Sequence, residues 1–293
     1  MRDEDFAFLR ALLRRRSGLA LAPGQAYLLE ARLAPVCRAA GLPSLSALAA
    51  HLRLRPDAEL EASVAEAMTT NETMFFRDRH VFDALRDDIL PALIAGRADS
   101  RRLRIWCAAA STGQEPYSVA MLLADMPSVL AGWKVDILAT DISAAAIFRA
   151  RAGIYSQFEV QRGLPVRRLL RHFEQSPAGW ALEPAIRGAV ALRVFNLLED
   201  FGGLGTFDLI LCRNLAIYFD ATTRATLLGK LAAALAPDGV LCTGASEASL
   251  GLREPFEPHP ERRGFLLRRP IQPIGTGRRH ASPDGRGAAS PPV

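Results

Sequence analysis

The chain has 293 residues, of which 49% are hydrophobic and 23% charged, with a formal net charge of +5. That is enough apolar material for one large domain or two unequal ones, and the basic balance points to an acidic partner without choosing among nucleic acid, membrane surface and protein. No apolar run approaches the roughly 20 residues that span a bilayer, and Met1-Arg-Asp-Glu-Asp5 has no signal-peptide core, so the expected location is cytoplasmic, with no direct membrane insertion.

Residues 1–67 read as a small bundle of short helices. Phe6, Leu9, Leu12 and Leu13 recur at helical spacing, and Leu28, Leu29, Leu33 and Val36 follow Pro23-Gly24. A third set, Leu45, Leu48 and Leu52, is entered through Pro43-Ser44, and Leu60, Val64 and Met68 form a fourth. Arg14, Arg15, Arg16, Arg32, Arg38, Arg53 and Arg55 form either a docking patch or an ordinary solvated surface. Residues 68–99 read as a linker opening on Met68-Thr-Thr-Asn-Glu-Thr-Met-Phe-Phe-Arg-Asp78. Phe75 and Phe76 suit the core between domains, while Asn71, Thr73 and Arg77 are left to present polar groups.

From 100 to 269 the rhythm changes. Short apolar strands (103–108, 134–140, 192–195, 207–212, 240–242) alternate with helices at 116–124, 143–150 and 222–235, which predicts an α/β, doubly wound parallel sheet. Phe256–His259 and Gly264–Leu267 are expected to close it as an antiparallel pair. Residues 270–293 read as a disordered basic tail. Cys37, Cys107, Cys212 and Cys242 have no CxxC spacing, so they read as buried reduced thiols and no metal site is expected.

Ligands of such sheets bind at the carboxyl ends of the strands, near the switch point. The first strand runs into Ala108-Ala-Ala-Ser-Thr-Gly-Gln-Glu-Pro-Tyr-Ser118, small residues before a helix start. This is a nucleotide-type turn, but neither GxGxxG nor a phosphate-binding loop, which disfavours ATP hydrolysis and nicotinamide chemistry. S-adenosylmethionine carries no phosphate, and carboxylates such as Glu115 and the strand-end Asp141 suit its amino group and ribose hydroxyls. Asp141 also suits a helix N-cap role shared with Ser143, and Asp220 reads as the N-cap of the following helix. Polar residues end two further strands, at Asn196-Leu197 and at Arg213-Asn214, the latter followed by Ile217-Tyr218-Phe219.

Taken together, TTNETMFFRD, RIWCAAASTGQEPYSVAMLL, ILATDIS, RAGIYS, FNLLED, FDLILCRNLAIYFD and DGVLCTGASE resemble, in order and spacing, the chemotaxis receptor methyltransferases, the CheR family. The resemblance covers roughly residues 1–269 and implies a Rossmann-like methyltransferase domain behind an all-α N-terminal domain. It implies transfer of a methyl group from S-adenosylmethionine to receptor glutamates, releasing S-adenosylhomocysteine. Cofactor contacts would be Asn71, Thr73, Arg77, Glu115, Asp141, Asn196, Leu197, Arg213 and Asn214, with Arg77 and Tyr218 nearest the transferred methyl. The partners implied are the cytoplasmic methylation helices of chemoreceptors, met by the N-terminal domain. Gln114, Ala216 and Ala245 depart from the family pattern, none at a site position. The resemblance also implies a small β subdomain over 173–195, to which Trp180-Ala-Leu and 189–195 could supply strands; the family's longer form of it grips a pentapeptide tether at the receptor C-terminus, and the shortness of the segment here predicts that no such tether is required. Nucleic acid is disfavoured because aromatics do not interleave with the arginines; a cofactor sensor without turnover remains the alternative.

Overall fold

The computed structural model describes residues 1–250 and 255–268; the tail expected over 270–293 lies outside the described residues. The N-terminal domain comprises α1 (Asp3–Ser17), α2 (Ala26–Ala39), α3 (Leu45–Leu54) and α4 (Ala58–Ala67). Ser44 and Asp57 cap α3 and α4 by accepting backbone N–H bonds, as small polar residues before apolar periodicity should. Leu9, Leu12, Leu13, Leu29, Leu33, Leu48 and Val64 are fully buried against one another, so each amphipathic helix buries its stripe on its neighbours. Most of the suspected arginine patch is occupied internally. Arg15 and Arg16 meet Glu61, Arg14 meets Asp220, Arg53 meets Asp5, and Arg32 donates to the carbonyls of Met68 and Thr69.

Within the expected linker, α5 (Arg79–Ala84) and α6 (Leu90–Ala95) flank a π-helical turn and lead to a seven-stranded sheet. Its strands are β1 (Arg102–Cys107), β2 (Lys134–Asp141), β6 (Val190–Val194), β7 (Phe207–Cys212), β8 (Leu235–Thr243), β9 (Phe256–Pro258) and β10 (Phe265–Arg268). The order is β6-β2-β1-β7-β8-β10-β9, with the first five parallel and the last two added antiparallel. The chain winds outward through β1, β2 and β6, then returns to lay β7 on the other side of β1. The switch point therefore lies between β1 and β7. Helices α7 (Gln114–Ala124), α8 (Ala144–Ala152) and α12 (Ala221–Ala234) are the crossovers. One core lies on the Ile105–Cys107–Leu209 face of the sheet; the other gathers Trp106, Phe207, Leu231 and Phe256.

The small β subdomain differs from expectation. Its strands are β3 (Ile154–Tyr155), β4 (Phe173–Ser176) and β5 (Gly179–Leu182), in the order β3-β5-β4. The stretch 190–194, expected both as a main-sheet strand and as part of the subdomain, forms β6, the edge of the main sheet beside β2. The reason is pairing geometry: a hairpin turning at Pro177-Ala178 leaves β5 one free edge, which Ile154-Tyr155 takes. The remaining helices are α9 (Gln157–Gln161), α10 (Val166–His172) and α11 (Pro184–Gly188), the first two between β3 and β4 and the last before β6.

Candidate active site

The linker crosses the carboxyl ends of the strands because its two aromatics are pinned. The Phe75 ring packs edge-on against Tyr155 and Phe173, at centroid distances of 4.9 and 5.5 Å. Phe76 is held by its N–H, which donates to Ser118 Oγ at 2.9 Å, and by the Arg168 guanidinium over its ring. Gly163 lies so close that a Cβ there would sit 2.1 Å from the Phe75 carbonyl oxygen, so only glycine fits. Phe76 and Asp78 both adopt positive φ, 50° and 61°, an unfavourable conformation that this packing holds in place. With the aromatics inward, Asn71, Thr73 and Arg77 line the cleft.

The turn after β1 forms the next wall. Gly113 has φ 96°, and a Cβ there would meet Tyr117 at 2.8 Å and the Tyr155 hydroxyl at 2.9 Å. Glycine is thus required for the chain to enter α7, and Glu115 falls in the first turn. Glu115 is almost wholly buried, with Oε2 accepting from Arg213 at 2.8 Å. Burial pushes its carboxyl above the ordinary range, against the pull of the Arg213 charge. Arg213, after β7, also donates to Asp78 Oδ2 and to the Arg77 carbonyl oxygen. Burial opposes its charge, but Glu115 and Asp78 outweigh it, so its net shift is upward. Its Nε has no partner.

Asp141 ends β2. Its two oxygens accept the N–H groups of Ser111 at 2.8 Å and Ser143 at 2.9 Å. Burial raises its pKa, and these two N–H bonds oppose the rise. It therefore works as loop clasp and cleft acid together, while Ser143 Oγ caps α8. Each carboxylate oxygen retains capacity for a further donor.

All ten residues expected at the site line one cleft of about 1030 Å³, open mouth included. Two of them also hold partners within the protein. Asn196 spends its amide on protein, donating to the Arg16 carbonyl oxygen at 2.6 Å and accepting from Leu198 N–H at 3.0 Å. Arg213 is committed to two carboxylates and a carbonyl. Tyr218 is half-buried, its carbonyl accepting from Ala20 N–H at 2.9 Å.

Sequence reasoning missed the roof and the clasps. Ser17, Leu19, Ala65 and Met68 of the helical domain also line the cleft. Glu66 Oε1 accepts from Ser143 Oγ and from Ala145 N–H, fastening α4 to the start of α8. Glu247, fully buried, accepts four backbone N–H bonds around the turn after β7. A carboxylate in an apolar stretch of the DGVLCTGASE run was the available signal for the last. Cys37, Cys107, Cys212 and Cys242 are free and buried, and burial raises each thiol, Cys242 to about 12, so none serves as a nucleophile at neutral pH.

Residues 4–69 match the CheR methyltransferase all-alpha domain, and residues 71–265 match the CheR methyltransferase SAM binding domain. Chemotaxis protein methyltransferase Cher2 of Pseudomonas putida is 38% identical over 86% of this chain and 93% of its own. Chemotaxis protein methyltransferase 1 of Pseudomonas aeruginosa is 38% identical over 87% of this chain and 94% of its own. Chemotaxis protein methyltransferase 1 of Vibrio cholerae is 38% identical over 87% and 93% respectively. With both family models matched and these relatives covered almost end to end, the chain belongs to the CheR methyltransferase family.

Proposed function

We propose that this S-adenosylmethionine-dependent methyltransferase esterifies glutamate side chains on the cytoplasmic methylation helices of chemoreceptors. The observation that carries the reading is convergence: four strand ends and the linker bring Asn71, Thr73, Arg77, Glu115, Asp141, Asn196, Leu197, Arg213, Asn214 and Tyr218 to one cleft. The donor set suits the cofactor. Asp141 offers acceptors for ribose hydroxyls, Glu115 a buried negative charge for an ammonium, and Leu197 an apolar wall for a base. Bound there, S-adenosylmethionine supplies a methyl group on a cationic sulfur, already activated for displacement.

The chain's own residues then have little proton chemistry to do. A glutamate carboxylate is ionised at neutral pH, so no general base is needed. Rate comes from holding the acceptor in line and excluding water. Arg77, with one guanidinium nitrogen tied to the Glu72 carbonyl oxygen, orients the incoming carboxylate, and Tyr218 sets the other side of the reactive end. The helical domain roofs the cleft and meets the receptor. We place the enzyme in the cytoplasm; no helix among the described residues is long and apolar enough to cross a membrane. We further propose that no pentapeptide tether is required, since the subdomain strands are only two and four residues long.

The test is transfer from radiolabelled S-adenosylmethionine to membranes carrying the organism's own chemoreceptors. Base-labile label on the receptor, lost in Arg77→Ala, is expected. S-adenosylhomocysteine binding without any label supports a sensor instead. Saturable calorimetric binding of a receptor C-terminal pentapeptide overturns the tether-free reading, and salt-dependent RNA binding with transfer to RNA overturns the receptor reading.

A further inference from the structure

Glu247 does not itself line the cleft, yet it is fully buried, and among the described residues no cation hydrogen-bonds to it. An isolated buried carboxylate is costly unless its charge is solvated by the protein. Here the solvation comes from backbone. Oε1 accepts from the N–H groups of Leu215 at 2.8 Å and Ala216 at 2.7 Å. Oε2 accepts from those of Asn214 at 2.9 Å and Gly244 at 2.6 Å. Three consecutive amides after β7 and one after β8 thus converge on a single side chain, a concavity built for an anion.

The segment so held is the reactive end of the cleft. Asn214 sits at φ 58°, a left-handed conformation uncommon outside glycine, and a 3-10 turn at Ala216–Tyr218 follows immediately. We propose that Glu247 is a positioning residue for methyl transfer, fixing the Asn214–Ala216 turn through four backbone N–H bonds and thereby aiming Asn214 and Tyr218 into the cofactor cleft. The inference depends on the reading of that cleft given above.

Packing points the same way. Gly244 lies beneath the turn, and a Cβ there would meet Asn214 Nδ2 at 2.8 Å, Asn214 N at 2.9 Å and Glu247 Oε2 at 2.9 Å. The clasp has no room for a methyl group, so it can be loosened in a second way that leaves the carboxylate in place. Glu247→Gln is the direct probe. It keeps the shape, but its amide NH2 replaces an oxygen that accepted two N–H bonds, so donors face donors.

Three properties are measured on each full-length variant: the melting temperature, the S-adenosylhomocysteine Kd by calorimetry, and kcat and KM for transfer to receptor-bearing membranes. Glu247→Gln, assayed well below its melt, is expected to weaken S-adenosylhomocysteine on the order of ten-fold and to lower kcat by a similar factor or more. Glu247→Asp, which keeps the charge one methylene shorter, falls between. Gly244→Ala gives the same pattern, and carries the test alone if Glu247→Gln does not fold. Unchanged Kd and kcat in a folded Glu247→Gln or Gly244→Ala, with only the melting temperature lowered, overturns the proposal. Wild type that binds S-adenosylhomocysteine but transfers nothing overturns the receptor reading instead, and the Kd comparison still decides the role of Glu247.

Discussion

Arg213 and Glu115 meet at 2.8 Å with both side chains nearly withdrawn from water, the arginine from β7 and the glutamate from the first turn of α7. The pair joins the two strand ends that flank the switch point, and Asp78 on the linker completes it. Removing Arg213 takes from Glu115 and Asp78 the guanidinium to which both are hydrogen-bonded, leaving the buried Glu115 only the charge of Arg77, which makes no hydrogen bond to it. Arg213→Met should therefore cost about 3–5 kcal/mol of unfolding free energy in urea and abolish detectable S-adenosylhomocysteine binding. Glu115→Gln keeps the shape and one acceptor, so it should lose less stability while still weakening the ligand. Equal stability in Arg213→Met and wild type would count against a structural role for the pair.

Glu66 makes two of the bonds that fasten the two domains, to Ser143 Oγ at 2.7 Å and Ala145 N–H at 2.8 Å. The second lies at a helix N-terminus, where a carboxylate is favoured by the unpaired amides. Glu66→Ala should cost about 1–3 kcal/mol at this junction, leaving the fold of each domain intact. Amide hydrogen exchange should quicken in the linker, 69–77, and at the start of α8, with little change in β1 or β7. Exchange that rises evenly across the chain would mean that the junction is not a separable unit.

Asp5 anchors the helical domain against acid. Its carboxyl is depressed to about 2, first by the Arg2 hydrogen bond, then by Ser46 and Arg53. A folded pKa below the unfolded one means stability that is present above about pH 3.9 and lost as pH falls through the folded value. Asp5→Asn should melt lower than wild type at pH 6, and the two curves should converge as pH approaches 2. A difference that persists unchanged at pH 2 would assign the effect to packing instead.

Much of this was legible in the sequence, for identifiable reasons. The core strands read as apolar runs because a sheet covered on both faces buries every side chain, and the caps at Ser44, Ser143 and Asp220 read from local chemistry. What escaped depended on contacts between distant segments. Nothing local distinguishes 190–194 as an edge strand of the main sheet from a strand of the subdomain; only pairing with β2 decides it. The engagement of Asn196 with the Arg16 carbonyl spans 180 residues, and Glu247 reaches back more than 30 to the turn after β7. The arginines of the helical domain could be read as a docking patch or as a solvated surface because composition cannot show that Glu61, Asp5 and Asp220 already pair with four of them.

Asp141 carries a cost that binding should repay. Burial raises its pKa above the ordinary aspartate value, even though Ser143 and Ser111 donate to it. For a raised carboxyl the sign is opposite to that of Asp5. Its contribution to stability is full below the unfolded pKa and is lost as pH rises through the folded one, so at neutral pH the ionised group burdens the ligand-free protein. Asp141→Asn should therefore raise the melting temperature of the ligand-free protein at pH 7, or leave it unchanged if the lost N–H bonds offset the gain. The same charge serves ribose hydroxyls, so the variant should bind S-adenosylhomocysteine at least ten-fold more weakly, about 1.4 kcal/mol. In wild type the affinity should fall on acidification, starting above the pH at which a free aspartate titrates, and that slope should be reduced in Asp141→Asn. Calorimetric titrations from pH 4.5 to 8 read this directly. An identical slope in the variant would move the titrating group elsewhere, with Glu115 the next candidate.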